Sequence, residues 1–96
     1  MLKNKHILGT KMNTWLLTQN INKIPGAVES ALVVAPNTDI ASKIHPIYGY
    51  LSDSKDHWSN FTWVGSDDVD VKHIGESTHT EYKVIGIKFF GADWVY

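Results

Sequence analysis

Acids, a histidine and a tryptophan lie close together at residues 53–58, a combination that could support proton transfer or metal binding. His57 would act as a general base or ligand, oriented by Asp53 or Asp56. The same residues are typical of a solvated turn leading into a strand, where aspartate tolerates turn geometry. Because sequence neighbours rarely adopt the spatial arrangement that catalysis requires, we favour the turn.

A second group of oxygen and nitrogen ligands follows between residues 67 and 79. Its members are Asp67, Asp68, Asp70, His73, Glu76 and His79. Side chains of these types could hold a divalent cation, but their spacing matches neither the calcium-binding loop nor an H-E-x-x-H helix. On a strand, Asp68 and Asp70 would share one face and His73 would lie on the other. We interpret the group as a solvated acidic hairpin and predict no metal and no other cofactor.

Other catalytic signatures are missing from the sequence. The chain has no cysteine, no phosphate-binding glycine loop and no G-x-S-x-G element to support Ser59, His79 and Asp93 as a triad. These absences argue against nucleotide hydrolysis and dinucleotide redox chemistry, and we assign no catalytic residue.

Aromatic side chains give the strongest indication of function. Ten of the eleven lie between Tyr48 and Tyr96, and only Trp15 lies outside. Five apolar side chains of this half are assigned to the core: Phe61, Trp63, Ile85, Ile87 and Phe89. The remaining large rings, with two polar neighbours, form the predicted ligand- or partner-binding surface: Trp58, Tyr82, Trp94, Tyr96, His57 and Asp56. We expect the acids of 53–56 and 67–70 beside these rings.

Strand and turn signals place these residues in a small single α+β domain spanning 1–96. We predict a mainly antiparallel sheet of four to six strands and one short helix near residues 38–45, with Asn37–Asp39 supplying N-cap chemistry and Pro46 ending it. The predicted strands cover 14–18, 29–35, 57–64, 69–74 and 80–90, with turns at 65–68 and 75–77. Gly86 indicates a bulge or a close backbone contact. The segment 94–96 is expected to dock on the domain or on a neighbouring subunit.

Charge and apolar patterning narrow the class of partner. Residues 1–48 carry five lysines against Glu29 and Asp39, whereas residues 49–96 carry four lysines against eight acids. All basic residues are lysine, so the arginine fork that reads guanine and clamps phosphates is absent, and we predict no duplex nucleic acid. The longest apolar run, 31–35, is too short to span a membrane. We therefore expect a cytoplasmic homo-oligomer whose partner is a protein or a small molecule.

Three functions are consistent with these residues. The leading hypothesis is a small non-enzymatic binding or inhibitor protein of the phage or mobile-element type. It would engage a host protein or a nucleotide-like ligand through an aromatic, acidic surface. One alternative is a small metal-dependent or general-acid/base hydrolase that uses His57, His73 and His79 with nearby acids. The other is a structural subunit of a larger assembly, docked through Trp94 and Tyr96.

Overall fold

The computed structural model describes residues 11–49, 51 and 62–96. Within these ranges the chain forms a five-stranded antiparallel sheet, one α-helix and one 3₁₀ helix, which confirms the predicted α+β fold. The sheet order is β3-β1-β2-β4-β5. The elements in chain order are β1 (Met12–Thr18), β2 (Val28–Ala35), α1 (Thr38–Lys43), the 3₁₀ helix (Ser66–Asp68), β3 (Asp70–Ser77), β4 (Lys83–Phe89) and β5 (Trp94–Val95).

The strand β2 lies at the centre of the sheet and is buried on both faces. Val33 lies opposite Trp15 of β1, and both belong to the main hydrophobic cluster. The next residue, Val34, points to the other face and is also fully buried. Burial on both faces explains why residues 31–35 of this strand are a continuous apolar run rather than an alternating one. The prediction of a buried strand over 29–35 is confirmed.

The helix α1 begins where the local sequence predicts and ends two residues before the predicted end at 45. The Oδ1 atom of Asn37 accepts a hydrogen bond from the backbone N–H of Ile40 at 2.9 Å, which caps the first turn. The helix ends at Lys43, and Ile44 is extended two residues ahead of Pro46. Ile44 is fully buried and Ile40 packs against the core, so α1 covers the face of the sheet that carries Trp15. We call this the helix face and the opposite side the far face.

The strand predicted over 57–64 is not found in its described part. Residues 57–61 lie outside the described residues, and residues 62–64 form a turn and an irregular segment. The carbonyl of Thr62 accepts one hydrogen bond from the N–H of Val28, at 2.8 Å. Trp63 and Val64 are both buried although neither belongs to a strand. The core role of Trp63 is confirmed, but the strand assignment is wrong at 62–64.

The turn predicted at 75–77 is also wrong, because β3 continues through these residues to Ser77. Thr14 pairs with Gly75 whereas Trp15 pairs with His73, so Ile74 is an extra residue in a bulge. The glycine that indicated a turn therefore marks an irregularity inside the strand. The chain turns only at 78–82, and β4 begins at Lys83 rather than at Thr80.

A second bulge changes the faces assigned to β4. Leu32 pairs with Gly86 and Val33 pairs with Val84, so Ile85 is the extra residue. Val84 consequently packs against the core together with Ile87 and Phe89, whereas regular alternation along the strand would put it on the face opposite to theirs. Ile85 itself is half-buried and lies outside the main cluster, contrary to its predicted core role.

The described ranges contain no helix with the length and apolar character needed to cross a membrane.

Candidate functional site

The structure brings two of the predicted binding residues, Trp94 and Tyr96, into contact. β5 pairs with the end of β4 through Ile87 with Val95 and Lys88 with Trp94. The rings of Trp94 and Tyr96 stack with their centroids 6.0 Å apart and their planes 18° apart. Trp94 is half-buried, whereas Tyr96 is 79% exposed. The prediction that segment 94–96 docks on the domain is confirmed, and the docking leaves an exposed aromatic pair at the sheet edge.

Gly86 makes room for this pair on the far face. A Cβ atom at position 86 would lie 2.6 Å from Cδ1 and 2.8 Å from Cε1 of Tyr96, and 3.2 Å from the carbonyl oxygen of Val95. The tyrosine ring can lie against the β4 backbone only because this position has no side chain. Both features predicted for Gly86, the bulge and the close contact, are present.

We expect Gly86→Ala to displace Tyr96 from Trp94 at a small cost in global stability. The added methyl group conflicts mainly with an exposed ring that can swing away, so the free energy of unfolding should fall by only about 1 kcal/mol. Nuclear Overhauser contacts between the two rings should disappear. Gly75→Ala is the matched control, because its Cβ would meet nothing within 4 Å. Ring contacts that persist in Gly86→Ala would contradict the packing of the Tyr96 ring against the backbone at position 86.

The far face next to the pair combines leucines with one ion pair. Leu16 lies opposite Leu32, and Leu32 lies opposite Gly86, so an apolar band leads across the sheet toward the stacked rings. Both leucines are half-buried. The Nζ atom of Lys88 lies 2.6 Å from Oε1 of Glu29, which places a neutralised pair beside Trp94. The surroundings of the aromatic pair are therefore mainly apolar in the described residues.

The other residues of the predicted surface do not join the pair in the described chain. Tyr82 is 43% exposed in the turn before β4 and lines an open hollow formed by residues 79–83. Its ring contacts neither Trp94 nor Tyr96, because β5 pairs with the C-terminal end of β4 and Tyr82 precedes the N-terminal end. Trp58, His57 and Asp56 lie outside the described residues.

The acids of 67–70 lie at the opposite edge of the sheet from the aromatic pair. Asp67 and Asp68 belong to the 3₁₀ helix, and Asp70 begins β3. Three strands separate β3 from β5, which is about 19 Å at the usual strand spacing. The expectation that these acids flank the aromatic rings is therefore contradicted by the strand order. The acids of 53–56 lie outside the described residues.

The two described histidines of the hydrolase alternative have separate surroundings. Nε2 of His73 lies 3.0 Å from Oδ1 of Asn13, and its ring packs edge-on against Trp15 with centroids 4.9 Å apart. His79 is exposed in the turn after β3, where its backbone N–H donates to the hydroxyl of Ser77. Across residues 11–49, 51 and 62–96, no three histidine, aspartate or glutamate side chains are grouped so that they could hold a metal ion.

His45, which no sequence pattern singles out, is a fully buried histidine with a defined tautomer. Its Nδ1 atom accepts hydrogen bonds from the N–H groups of Ile47 at 3.2 Å and Tyr48 at 3.4 Å. Nδ1 must be unprotonated to accept them, so the neutral ring carries its proton on Nε2. Desolvation by burial lowers the pKa of His45 below its usual 6.5. The sequence marks this position only through Pro46, which follows His45 and begins the turn at 46–48.

We expect His45 to make the protein less stable as the pH falls below about 6.5. The unfolded chain then binds a proton at position 45 while the folded chain still excludes it, so the contribution is complete above the unfolded pKa and is lost as the pH falls through the lower folded value. His45→Asn should weaken this dependence because an amide does not titrate, and its oxygen can take the place of Nδ1 as the acceptor for the N–H groups of Ile47 and Tyr48. His79→Asn, at an exposed site, is the control. Urea denaturation between pH 5 and 8 measures the effect, and an unchanged slope in His45→Asn would refute it.

No protein-family model, curated protein or solved structure matches the chain significantly. Its function has to be inferred from its own geometry.

Proposed function

We propose that the chain is a small non-enzymatic binding or inhibitor protein that engages its partner through the Trp94–Tyr96 pair. The observation that carries the proposal is the stack of these two rings on the edge strand, with Tyr96 79% exposed. Tryptophan and tyrosine dominate the binding energy of many protein interfaces, because they combine a large apolar area with a polar group. Here the pairing of β5 with β4 positions Trp94, and Tyr96 lies against Gly86 and stacks on Trp94, so both rings are positioned before any partner arrives, which lowers the entropy cost of binding.

A protein partner fits this surface better than a small ring-shaped ligand. Sites for small ligands bury most of the ligand surface. The two rings already contact each other, so a further ring could stack only on the open side of Tyr96. β5 pairs with Ile87 and Lys88, and within the described residues no other strand pairs with the edge of β4 before them, where an extended segment of a partner could add.

The test compares two exposed tyrosines of the same half of the chain. Tagged wild type, Tyr96→Ser and Tyr82→Ser are used to enrich proteins from a lysate of the source cell, with quantitative mass spectrometry as the readout. We expect a partner that the wild type and Tyr82→Ser retain equally and that Tyr96→Ser loses by about tenfold or more. Equal retention by all three proteins would reject the aromatic pair as the binding surface. Native mass spectrometry of the purified wild type would reveal a bound small molecule, which would favour a ring-shaped ligand instead.

A further inference from the structure

The loop that joins β1 to β2, residues 19–27, exposes two isoleucines at one end of the sheet. Ile21 is 68% exposed and Ile24 is 50% exposed, and the exposed Lys23 lies between them in sequence. Single exposed apolar residues are common on protein surfaces. Two exposed isoleucines on one short loop indicate a binding element only if the loop holds them in a fixed position.

The side chain of Gln19 holds this loop from inside. Its Nε2 donates to the carbonyl of Asn22 at 2.6 Å and to the carbonyl of Val28 at 2.9 Å. Its Oε1 accepts from the N–H groups of Ile21 and Asn22, both at 2.8 Å. The amide thus uses both of its donors and both of its acceptor positions, and the residue is only 1% exposed.

The C-terminal side of the loop is fixed to the sheet as well. The N–H of Ala27 donates to the carbonyl of Ile24 at 3.1 Å, around Gly26 with its φ of 93°. The carbonyl of Ala27 accepts from the N–H of Phe90 at 3.0 Å, and Ala27 is fully buried. The loop is therefore preorganised, so a partner that contacts its isoleucines would not have to order it first.

Exposed acids border the loop on both sides. Thr18 pairs with Asp70, which places the start of β3 and the 3₁₀ helix, with Asp67 and Asp68, on one side. On the other side, Val28 pairs with Phe89 and Ala27 accepts from the N–H of Phe90, which places there the turn between β4 and β5 that carries Asp93. Among the described residues these four acids form no ion pair. Lys23 is the one charge that the loop itself contributes.

We propose that the β1–β2 loop is a docking element that inserts Ile21 and Ile24 into an apolar cleft of a partner protein, where lysines or arginines border the cleft. The acids on both sides supply the complementary charge. They would repel an anionic membrane surface and also the same acidic end of a second copy. The proposal does not depend on the Trp94–Tyr96 pair.

The test uses the full chain in the source cell, with a photo-crosslinking amino acid at position 24 and, as control, at Ile47, which is exposed in the turn after α1. We expect one protein crosslinked from position 24 and absent from position 47. Its capture from lysate should fall by about tenfold or more in the double variant I21S/I24S. It should fall about threefold in the charge variant D67N/D93N, and it should be unchanged in Tyr96→Ser.

Four results would overturn the proposal. The first is the absence of a crosslink specific to position 24. The second is a captured protein that the double variant retains. The third is binding of the wild type, but not of I21S/I24S, to vesicles of phosphatidylcholine and phosphatidylserine, which would assign the loop to a membrane. The fourth is a self-association seen by analytical ultracentrifugation that I21S/I24S abolishes. Capture that Tyr96→Ser loses and I21S/I24S retains would assign the captured protein to the aromatic pair and would likewise overturn the proposal for the loop.

Discussion

Gln19→Ala is expected to lower the free energy of unfolding by about 3 kcal/mol, a large effect for a polar residue at a strand end. The truncation removes four hydrogen bonds at once. It leaves the carbonyl of Val28 without this donor in a buried environment. Each such loss costs about 1 kcal/mol net, and more where a buried group cannot reach water. Urea denaturation followed by circular dichroism measures the change.

Two further variants test whether the loss of stability comes from the side-chain amide of Gln19. Asn20→Ala changes the exposed neighbour and should cost less than about 0.5 kcal/mol. Gln19→Glu retains an acceptor for Ile21 and Asn22 but turns a carboxylate oxygen toward the carbonyls of Asn22 and Val28. It should therefore be destabilised at neutral pH and recover as the pH falls, because protonation restores one donor. A Gln19→Ala protein as stable as Asn20→Ala would show that the amide does not hold the loop.

Local signals were sufficient for the elements whose ends depend on nearby residues. Asn37 and Pro46 bracket α1 by capping chemistry and by the missing N–H, neither of which needs tertiary contacts. The apolar run of β2 also predicted its burial correctly, since only a strand covered on both faces tolerates such a run.

The errors arise where tertiary pairing determines the outcome. The bulges at Ile74 and Ile85 exist only in relation to partner strands, and each one moves later residues to the other face. Trp63 and Val64 are buried consecutively because an irregular segment packs against the sheet, a result that alternation cannot predict. In the sequence Gln19 cannot be distinguished from an ordinary polar loop residue, because its four hydrogen bonds form only in the folded chain.

The candidate site was only partly predictable for a similar reason. Trp94 and Tyr96 are two residues apart, so a strand places them on one face and their contact follows from local geometry. Their separation from Asp67 and Asp70 depends on the strand order β3-β1-β2-β4-β5, which leaves no signal in the sequence. The same order brings those acids to the β1–β2 loop instead.

Trp15 has the largest expected effect, although it is the one aromatic outside the second half of the chain. It is 8% exposed in the main cluster, and its Nε1–H donates to the carbonyl of Ala35 at 2.9 Å. Its ring also packs against His73 of the edge strand, so it links three strands. We expect Trp15→Ala to cost about 4 kcal/mol and Trp15→Phe about 1.5 kcal/mol, because phenylalanine keeps most of the packing but loses the hydrogen bond.

Trp94→Ala is the matched comparison for Trp15→Ala. The difference between their losses in free energy of unfolding shows which of the two tryptophans stabilises the fold. Trp94 is half-buried on a two-residue strand, so its removal should cost only about 1 kcal/mol while it exposes the ring of Tyr96 further. Far-ultraviolet circular dichroism in urea is the appropriate measurement, since it does not depend on the tryptophan that is removed. A larger loss of stability for Trp94→Ala than for Trp15→Ala would show that the main role of the aromatic pair is to stabilise the fold. The reverse order leaves Trp94 and Tyr96 available for binding.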